Sequence, residues 1–480
     1  MSTTAAQTLA GQRVTTAGVV FFTASAATPL TVCAAIVTTG LAATGRLGLP
    51  LAFVVIALVL AVFSVGYVAM ARRVPNAGAF YTYVSLGLGR PAGVGASWVA
   101  LLAYNALQIG LYGAIGPTAA PLLSRWFGVD LQWWVIALIA WAVVAVLGLR
   151  RIKHSARVLL VLLAAEVALV LVYTVANFAN PGDGSLGFEG LAPADLLGAA
   201  LGPLLGLAVL GFVGFEQSAV FSEQASPSAV RRATVICVGG LGLLYTLSSW
   251  STIQAAGPEQ VVAAAAAQPA GVLFSLAEKN LGPWAADVGQ VLLVTSVLAA
   301  LISFHATCSR YTFALGRDRV LPAVLGHTTP RTGQPGPASL SQSAIALIVI
   351  IAYAVGGWDP LTQLFYIGGT AGALGVLMLL SATAFATVRY LREHEDDDLR
   401  SARRFAPPIA AVAVTAILVL VVTNYALLLG VPPTSPLRWV IPVVFGLVAV
   451  AGCAYGVLLR KTRPQVYDAI GRGARALADR

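Results

Sequence analysis

The feature that most restricts the fold of this chain is a series of long stretches with little or no charge. A helix needs about 20 apolar residues to cross a bilayer, and about twelve stretches reach that length. They are Val14–Leu41, Leu49–Ala71, Pro91–Ser124, Leu131–Leu149, Val158–Phe178, Leu196–Ser222, Ala233–Gly257, Val288–Gly316, Ala338–Trp358, Leu361–Val388, Phe405–Val431 and Trp439–Leu459. Only 10% of the 480 residues are charged, whereas soluble domains carry roughly 25%. The sequence therefore predicts an all-α integral membrane protein with about twelve transmembrane helices.

The positive charges indicate how these helices are oriented. The net charge is +10, and its distribution fits a membrane topology better than nucleic-acid binding. With a cytoplasmic N-terminus, the outer loops hold Arg46, Arg125, Lys279 and Arg438, and nearly all other lysines and arginines are inside. We expect the predicted span Val288–Gly316 to leave the membrane near Arg310, whose side chain then reaches the interface. The positive-inside rule predicts a multi-pass protein of the cytoplasmic membrane, with both termini cytoplasmic and no nucleic-acid partner.

Two of the predicted spans contain residues that an uninterrupted membrane helix seldom has. The segment Leu210-Gly-Phe-Val-Gly-Phe-Glu-Gln-Ser218 places glycines and Glu216 in an uncharged stretch, and Thr23-Ala-Ser-Ala-Ala-Thr-Pro-Leu30 groups small and hydroxyl residues with a proline. An ionisable residue in a span usually faces a cavity, and irregular backbone is tolerated only where protein or water satisfies it. Two broken helices at similar depth are typical of transporters.

Other polar residues within the spans admit two interpretations each. Glu166 is protonated, paired or facing water, because an isolated ion in hydrocarbon is costly; a fixed hydrogen bond to a neighbouring helix is the alternative. Asn105, beside Tyr104, either bonds across helices or lines a cavity. His305, near Ser303, is either a structural residue or part of a site lining. The cysteines, at unrelated spacings, indicate packing rather than disulfides or metal ligands: they are Cys33, Cys237, Cys308 and Cys453.

Three motifs resemble those of the amino acid–polyamine–organocation superfamily of permeases, and the similarity covers nearly the whole chain. Pro75-Asn-Ala-Gly-Ala-Phe-Tyr81 is similar to a pattern that follows the family's second helix. Phe212-Val-Gly-Phe-Glu216, continued by Ser222-Glu-Gln-Ala-Ser-Pro227 and Arg231-Arg-Ala233, resembles its sixth helix and the loop after it. Arg310-Tyr-Thr-Phe-Ala-Leu-Gly-Arg-Asp-Arg-Val-Leu-Pro322 resembles the end of its eighth helix and is the most specific of the three.

The resemblance implies a five-plus-five inverted-repeat transporter fold, with broken helices 1 and 6 and two additional C-terminal helices. The two repeats then occupy residues 14–178 and 196–388, and the accessory helices occupy 405–459. The remaining segments are an N-terminal tail, 1–13, and a basic C-terminal tail, 460–480, both cytoplasmic.

The resemblance also implies a central site at the two breaks. Backbone amides of the first break would face a substrate carboxylate, aided by a half-helix dipole, and residues of the second break would bracket the amino group and side chain. The candidate substrate-binding residues are Thr23, Ala24, Ser25, Ala26, Ala27, Tyr104, Phe212, Gly214, Phe215 and Glu216. Asn105, Ser303 and His305 are candidate lining residues, and Glu166 and Glu216 are candidate coupling residues.

Two positions depart from the family pattern. Ala24-Ser-Ala26 stands where amino-acid carriers usually have a glycine-containing motif, and its methyl groups hinder the closest approach of backbone to ligand. Glu166 stands, by ungapped alignment, where some proton-coupled relatives have a lysine in the fifth helix. The resemblance therefore leaves open both an ordinary α-amino acid as substrate and the coupling scheme of those relatives.

The preferred hypothesis is a secondary transporter of an amino acid or an amino-acid-derived amine, working by alternating access and coupled to protons or to exchange. An organic-cation or polyamine carrier or exporter is the alternative, because two buried glutamates suit a cation. A nontransporting sensor on the same fold is a third hypothesis. An enzyme would need several catalytic side chains converging in the spans, and few are available. The expected partners are a small-molecule substrate, protons and the lipid bilayer, with no cofactor, metal or catalytic residue.

Overall fold

The computed structural model of this protein describes residue 9 and residues 14–150, 152–268, 271–394 and 400–473. Within these ranges the chain forms helices and no β-strand, which confirms the all-α fold class. The predicted N-terminal tail, 1–13, lies outside the described residues except for Leu9. The predicted C-terminal tail is described as far as residue 473.

The main helices correspond in order to the predicted spans. They are α1 (Thr16–Thr44), α2 (Leu49–Arg73), α3 (Arg90–Phe127), α4 (Trp133–Leu149), α5 (Ile152–Ala179), α6 (Leu201–Phe221), α7 (Pro227–Ala256), α8 (Pro283–Arg317), α9 (Gly336–Gly356), α10 (Pro360–Glu393), α11 (Arg400–Thr423) and α12 (Leu437–Thr462). In the described ranges, 11 helices are long and apolar enough to cross a membrane. The remaining one, α4, has 17 residues, or roughly 25 Å at about 1.5 Å per residue. The prediction of about twelve spans is confirmed.

The first helix is broken between Ala26 and Pro29. Thr28 has φ 43° and ψ 64°, a left-handed conformation that a β-branched residue seldom adopts. Pro29 begins the second half, where its fixed φ suits a first helical turn and its missing N–H costs nothing. The residue before a proline is also pushed out of the helical region, so the Thr28-Pro29 pair ends one helix and starts another.

The sixth helix is broken at Val213 and Gly214. Its first half, Leu201–Phe212, is α-helical, and its second half, Phe215–Phe221, is a 3₁₀ helix. Gly214 lies between them with φ 120°, which a residue without a Cβ adopts at little cost. The prediction that helices 1 and 6 are broken is therefore confirmed. The division into two inverted repeats stays a prediction.

Small residues bring α3 close to several neighbours. It packs against α8, α10 and α12. A Cβ added to Gly372 of α10 would lie 2.8 Å from the Ala103 carbonyl oxygen, and one added to Gly452 of α12 would lie 2.8 Å from Gly95 Cα. Close approach at small residues is the usual way that helices associate in membranes. This packing fixes the position of α3 beside α8, α10 and α12.

The expectation that the Arg310 side chain reaches the interface is wrong. α8 continues to Arg317, and Arg310 is 2% exposed. Its Nε and Nη2 donate to Gln224 Oε1 at 3.2 and 3.0 Å, and its Nη1 donates to the Ala306 carbonyl at 2.9 Å. The guanidinium also lies over the Phe221 ring, 4.6 Å from its centroid. These interactions satisfy the donors within the protein, so the side chain does not need water.

Two short helices connect α7 to α8, Val261–Ala267 and Val272–Leu281. The sequence analysis did not predict them, because each is shorter than a span. Two further short helices, Ala79–Leu88 and Pro464–Ala469, follow α2 and α12. They pack against the ends of α3 and α12.

Candidate functional site

The two helix breaks contact each other directly. A Cβ added to Gly214 would lie 2.7 Å from Ala26 Cβ and 2.9 Å from the Ala27 nitrogen. Any side chain at position 214 would therefore overlap the first break, in addition to the strain of φ 120°. Glycine is required here for both reasons, and the contact brings the irregular backbone of α1 and α6 to one place.

Glu216 lies just after the α6 break and is fully buried. Its Oε1 accepts from the Tyr104 hydroxyl at 2.9 Å, and its Oε2 accepts from the Gly214 N–H at 2.8 Å. The Tyr67 hydroxyl donates to its backbone carbonyl at 2.8 Å. The carboxyl group thus satisfies a backbone N–H that the broken helix leaves without a helical partner. It joins α3 to the second half of α6.

Glu166 forms the corresponding link to α1. The side chain of this α5 residue is 1% exposed, and its Oε1 accepts from the Leu30 N–H at 2.5 Å and from Ser296 Oγ at 2.7 Å. Leu30 follows Pro29 in the first turn after the break, where an N–H has no partner in its own helix. The positive end of the half-helix dipole also favours a negative charge there. Glu166 therefore connects α5 and α8 to the second half of α1.

A cavity extends from the two breaks between α1, α3, α6, α8 and α10. It contains about 850 Å³ of empty space, including the space at its open mouth. Its lining is formed by 18 residues: Ala26, Ala27, Thr28, Thr31, Ala35, Ile36, Thr39, Leu107, Leu111, Leu207, Leu210, Val213, Phe304, Phe365, Tyr366, Gly369, Thr370 and Leu428. A concave, mostly apolar space with a few polar groups is the usual form of a small-molecule site.

Two π-helical turns contribute to the lining of this cavity. One, Val32–Ile36, follows the α1 break and supplies Ala35 and Ile36, and the other, Pro360–Tyr366, opens α10 and supplies Phe365 and Tyr366. Such turns are rare and often occur at functional sites. The sequence analysis missed these four residues, because the apolar pattern of a span does not reveal a π turn.

Only some of the substrate-binding residues predicted from the sequence line the cavity. Ala26 and Ala27 line it, whereas the remaining eight do not: they are Thr23, Ala24, Ser25, Tyr104, Phe212, Gly214, Phe215 and Glu216. Thr23 Oγ1 and Ser25 Oγ are buried without a hydrogen-bond partner among the described residues. Thr28 and Thr31 line the cavity and were missed, although Thr28 precedes the proline that marks the break.

The candidate lining residue Ser303 belongs to a packed layer between the first half of α1, the second half of α6 and α8. Its hydroxyl donates to the Phe22 carbonyl, and its Oγ lies 3.2 Å from Gln217 Oε1. Phe22 lies against Phe221 with ring centroids 4.8 Å apart. The Val14 N–H donates to the Gln224 carbonyl at 2.8 Å. These contacts join the first half of α1 to the second half of α6 and to α8.

The other two candidate lining residues, Asn105 and His305, lie in a buried polar chain between α3, α8 and α9. His305 Nδ1 is 3.2 Å from Gln108 Nε2, and its Nε2 is 2.8 Å from Ser339 Oγ. Neither Asn105 nor His305 lines the cavity at the breaks.

Asn105 sets which group donates and which accepts along this series of hydrogen bonds. Asn105 Nδ2 donates to the Leu101 carbonyl at 2.8 Å, and a carbonyl only accepts. Asn105 Oδ1 then accepts from Gln342 Nε2 at 2.9 Å, and the same amide donates to Gln108 Oε1. Gln108 is left to donate to His305 Nδ1, which must accept and carries no proton. This pattern holds His305 as the neutral tautomer that donates from Nε2, in agreement with a structural role.

A second polar cluster lies at the end of α8. Arg317 Nη2 is 2.7 Å from Glu223 Oε1 and donates to Asn76 Oδ1 at 3.2 Å. Asp318 Oδ2 accepts from the Tyr81 hydroxyl at 2.9 Å and from the Gly471 N–H at 3.1 Å. Burial raises the pKa of Asp318 to about 6, and the neighbouring Arg317 opposes this rise. The cluster joins the α2–α3 loop, the loop after α6 and the C-terminal segment.

The described residues contain no group of three or more His, Cys, Asp or Glu side chains placed to hold a metal ion. The four cysteines are free, and Cys33, Cys237 and Cys308 are buried, which agrees with the packing role predicted for them.

Comparison with known proteins adds a family and several relatives. A family model described as amino acid permease matches residues 15–450. The chain is 27% identical to the L-lysine transport protein of Corynebacterium glutamicum, over 59% of this chain and 57% of that protein. It is 27% identical to the low-affinity putrescine importer PlaP of Escherichia coli K12, over 62% and 66% of the two chains. It is 24% identical to the branched-chain amino acid permease BcaP of Lactococcus lactis, over 74% and 77%.

The matches to the lysine and putrescine carriers span 57% and 66% of the length of those proteins, which is less than two thirds. The family model, in contrast, covers most of this chain. This multi-pass membrane protein therefore belongs to the amino acid permease family, within the amino acid–polyamine–organocation superfamily that its three motifs resemble.

Proposed function

We propose that this protein is a secondary active transporter that moves an amino acid or an amino-acid-derived amine across the cytoplasmic membrane by alternating access. The observation that carries the proposal is the contact of the two helix breaks at one end of a mostly apolar cavity. Broken helices at the membrane midplane form the substrate sites of many secondary transporters. The relatives named as lysine, putrescine and branched-chain amino acid carriers support the same substrate range.

The proposed transport cycle follows from a difference in packing between the two sides of the helix breaks. On the side of the first half of α1 and the second half of α6, Ser303, Phe22 and Gln217 form a packed layer, and on the other side the cavity reaches the breaks. With a cytoplasmic N-terminus, this conformation is closed to the cytoplasm and receives substrate from outside. Rocking of α1 and α6 against α3, α8 and α10 would open the packed layer and close the cavity.

We further propose that Glu166 couples transport to protons. Its ionised form accepts the Leu30 N–H and the Ser296 hydroxyl and suits the positive end of the second half of α1. Protonation removes the charge and weakens both hydrogen bonds. It therefore loosens α5 and α8 from a segment that moves in the cycle. A proton shifts a conformational equilibrium only by its differential affinity for the two states, and this contact supplies such a difference.

Transport by purified protein in proteoliposomes tests both parts of the proposal. Uptake of a panel of amino acids and amines is measured with and without an imposed proton gradient, for the wild type and for Glu166→Gln. Glutamine has the size of the neutral acid, so we expect the variant to fold and exchange substrate while losing proton-driven accumulation.

Accumulation equal to that of wild type would remove Glu166 from coupling. Glu216→Gln, measured in parallel, then examines the next candidate. Absence of flux for every compound with the wild type, together with intact ligand binding, would favour a nontransporting sensor.

A further inference from the structure

The cavity beside the breaks differs from a cation site in the chemistry of its walls. None of the 18 lining side chains, all in the described part of the chain, carries a charge. Ten of the lining residues have large aliphatic or aromatic side chains: Ile36, Leu107, Leu111, Leu207, Leu210, Val213, Phe304, Phe365, Tyr366 and Leu428. A cationic side chain placed there would lose its hydration without gaining a counter-charge.

The two buried glutamates do not supply that counter-charge. Neither Glu166 nor Glu216 lines the cavity. Both carboxyl oxygens of Glu216 accept hydrogen bonds, from Tyr104 and from Gly214. Glu166 Oε1 accepts two more, from the second half of α1 and from α8. These carboxyl groups hold the broken helices together, and neither is part of the cavity wall.

The end of the cavity at the α1 break has a different character. Thr28, with its left-handed backbone, and Thr31 lie there together with Ala26 and Ala27. Thr31 is 8% exposed, and its Oγ1 has no hydrogen-bond partner among the described residues. A buried hydroxyl without a partner is costly, and a ligand with a polar head group satisfies it. The cavity thus has a polar group without a partner at the α1 break, whereas its walls are mostly apolar and include two further threonines, Thr39 and Thr370.

From this arrangement we infer that the substrate is an α-amino acid with an uncharged, apolar side chain, bound with its head group at Thr28 and Thr31 and its side chain between α3 and α6. This inference rests on the proposed transport function and narrows it. It also disfavours the polyamine alternative, because a diamine would place its second ammonium group against Leu107, Leu111 and Leu207.

Binding to the purified wild-type protein in detergent tests the inference without requiring transport. The thermal shift is measured with leucine, phenylalanine, alanine, lysine and putrescine over the same concentration range. Leucine or phenylalanine should bind about tenfold or more tightly than alanine, because a hydrophobic pocket discriminates by the apolar groups that fill it. Lysine and putrescine should bind more weakly than leucine. Equal or tighter binding of lysine or putrescine overturns the inference.

A matched pair of variants at Leu111 locates the side-chain subsite. Leu111→Asp adds a negative charge to the wall of the cavity, and Leu111→Asn adds a side chain of similar size without charge. In L111D we expect leucine binding to weaken and lysine binding to strengthen, whereas L111N should weaken leucine binding without any gain for lysine. An unchanged order of ligands in folded L111D overturns the placement of the side chain.

Failure of the inference is distinguishable from failure of the proposed function. Tight binding of lysine or putrescine to the wild type contradicts the apolar substrate but leaves an amino acid or amine carrier. Absence of binding by all five compounds, with the protein folded, contradicts this inference, and absence of both binding and flux across the wider panel of amino acids and amines contradicts the proposed function as well.

Discussion

Gly214 is the residue at which backbone conformation and packing most tightly restrict the side chain. Gly214→Ala forces a residue with a Cβ to adopt φ 120° and to overlap Ala26 Cβ at 2.7 Å. Strained backbone of this kind costs about 1–3 kcal/mol, and the overlap separates the two breaks. We expect a lower melting temperature and a loss of substrate binding, measured by thermal unfolding with and without ligand.

Gly239→Ala provides the matched control. Gly239 lies in the middle of α7, and a Cβ added there meets no atom within 4 Å. Alanine is the better helix former by about 1 kcal/mol, so G239A should be as stable as wild type or more so, with ligand binding intact. Wild-type binding by G214A would mean that the contact between the breaks is not needed for the site.

Asp318 makes stability depend on pH. Its pKa is about 6 in the folded protein, against an ordinary value of 3.8, mainly because it is buried. The folded state therefore holds the proton more tightly than the unfolded state does. The stabilising effect of this proton is complete below pH about 4 and is lost as pH rises towards about 6.

Asp318→Asn removes this contribution while keeping an oxygen that accepts from Tyr81 and Gly471. The difference in melting temperature between wild type and D318N isolates Asp318 from other groups that titrate over the same range. We expect wild type to lose stability relative to D318N between pH about 4 and about 6, with a constant difference above that range. A difference that is independent of pH from 4 to 6 would contradict the assignment.

At the scale of elements, the ion pair of Arg317 and Glu223 connects the end of α8 to the loop after α6. The two side chains are 1% and 7% exposed, and Glu223 Oε1 also accepts from the Ala77 N–H at 2.9 Å. Removing one partner leaves a buried charge without compensation, which costs about 3–5 kcal/mol. We expect Arg317→Met to lower the melting temperature strongly, and the double variant Arg317→Met with Glu223→Leu to recover part of the loss.

The exposed pair of Arg389 and Glu393 is the control for this experiment. These side chains are 63% and 51% exposed and lie one turn apart in α10. Exposed pairs contribute about 0–1 kcal/mol, so Arg389→Met should change the melting temperature little. Equal effects of R317M and R389M would show that burial does not strengthen the α8 connection.

At the scale of the whole molecule, the distribution of charge predicts the orientation in the membrane. Single cysteines at Ser228, in the first turn of α7, and at Arg472, after α12, should react with a membrane-impermeant thiol reagent only from the cytoplasmic side. A cysteine at Ser185, between α5 and α6, should react only from outside. All three positions are exposed, and a background without the four native cysteines avoids other labelling.

Reaction of positions 228 and 472 from opposite sides would contradict the predicted topology. Reaction of both from outside, with position 185 inside, would invert the orientation. The first outcome bears on the number of spans and the second on the positive-inside rule.

The sequence predicted the class of protein, the number of spans and both helix breaks because each depends on short-range chemistry. An apolar stretch must form a helix in lipid, since only a helix pairs its own backbone groups. Thr28 before Pro29, and Gly214 beside Glu216, interrupt such a helix through their own backbone preferences. These properties need no knowledge of neighbouring helices, so the sequence alone determined them.

Only the tertiary structure decided which side chains meet, because their partners are far apart in the chain. Glu166 lies 136 residues from Leu30 and 130 from Ser296, and no local pattern predicts those contacts. Packing also buried Arg310, left Glu216 out of the cavity lining and brought two π turns into that lining. A polar residue in a span shows that a partner is needed, but the packing of the helices determines which partner it finds.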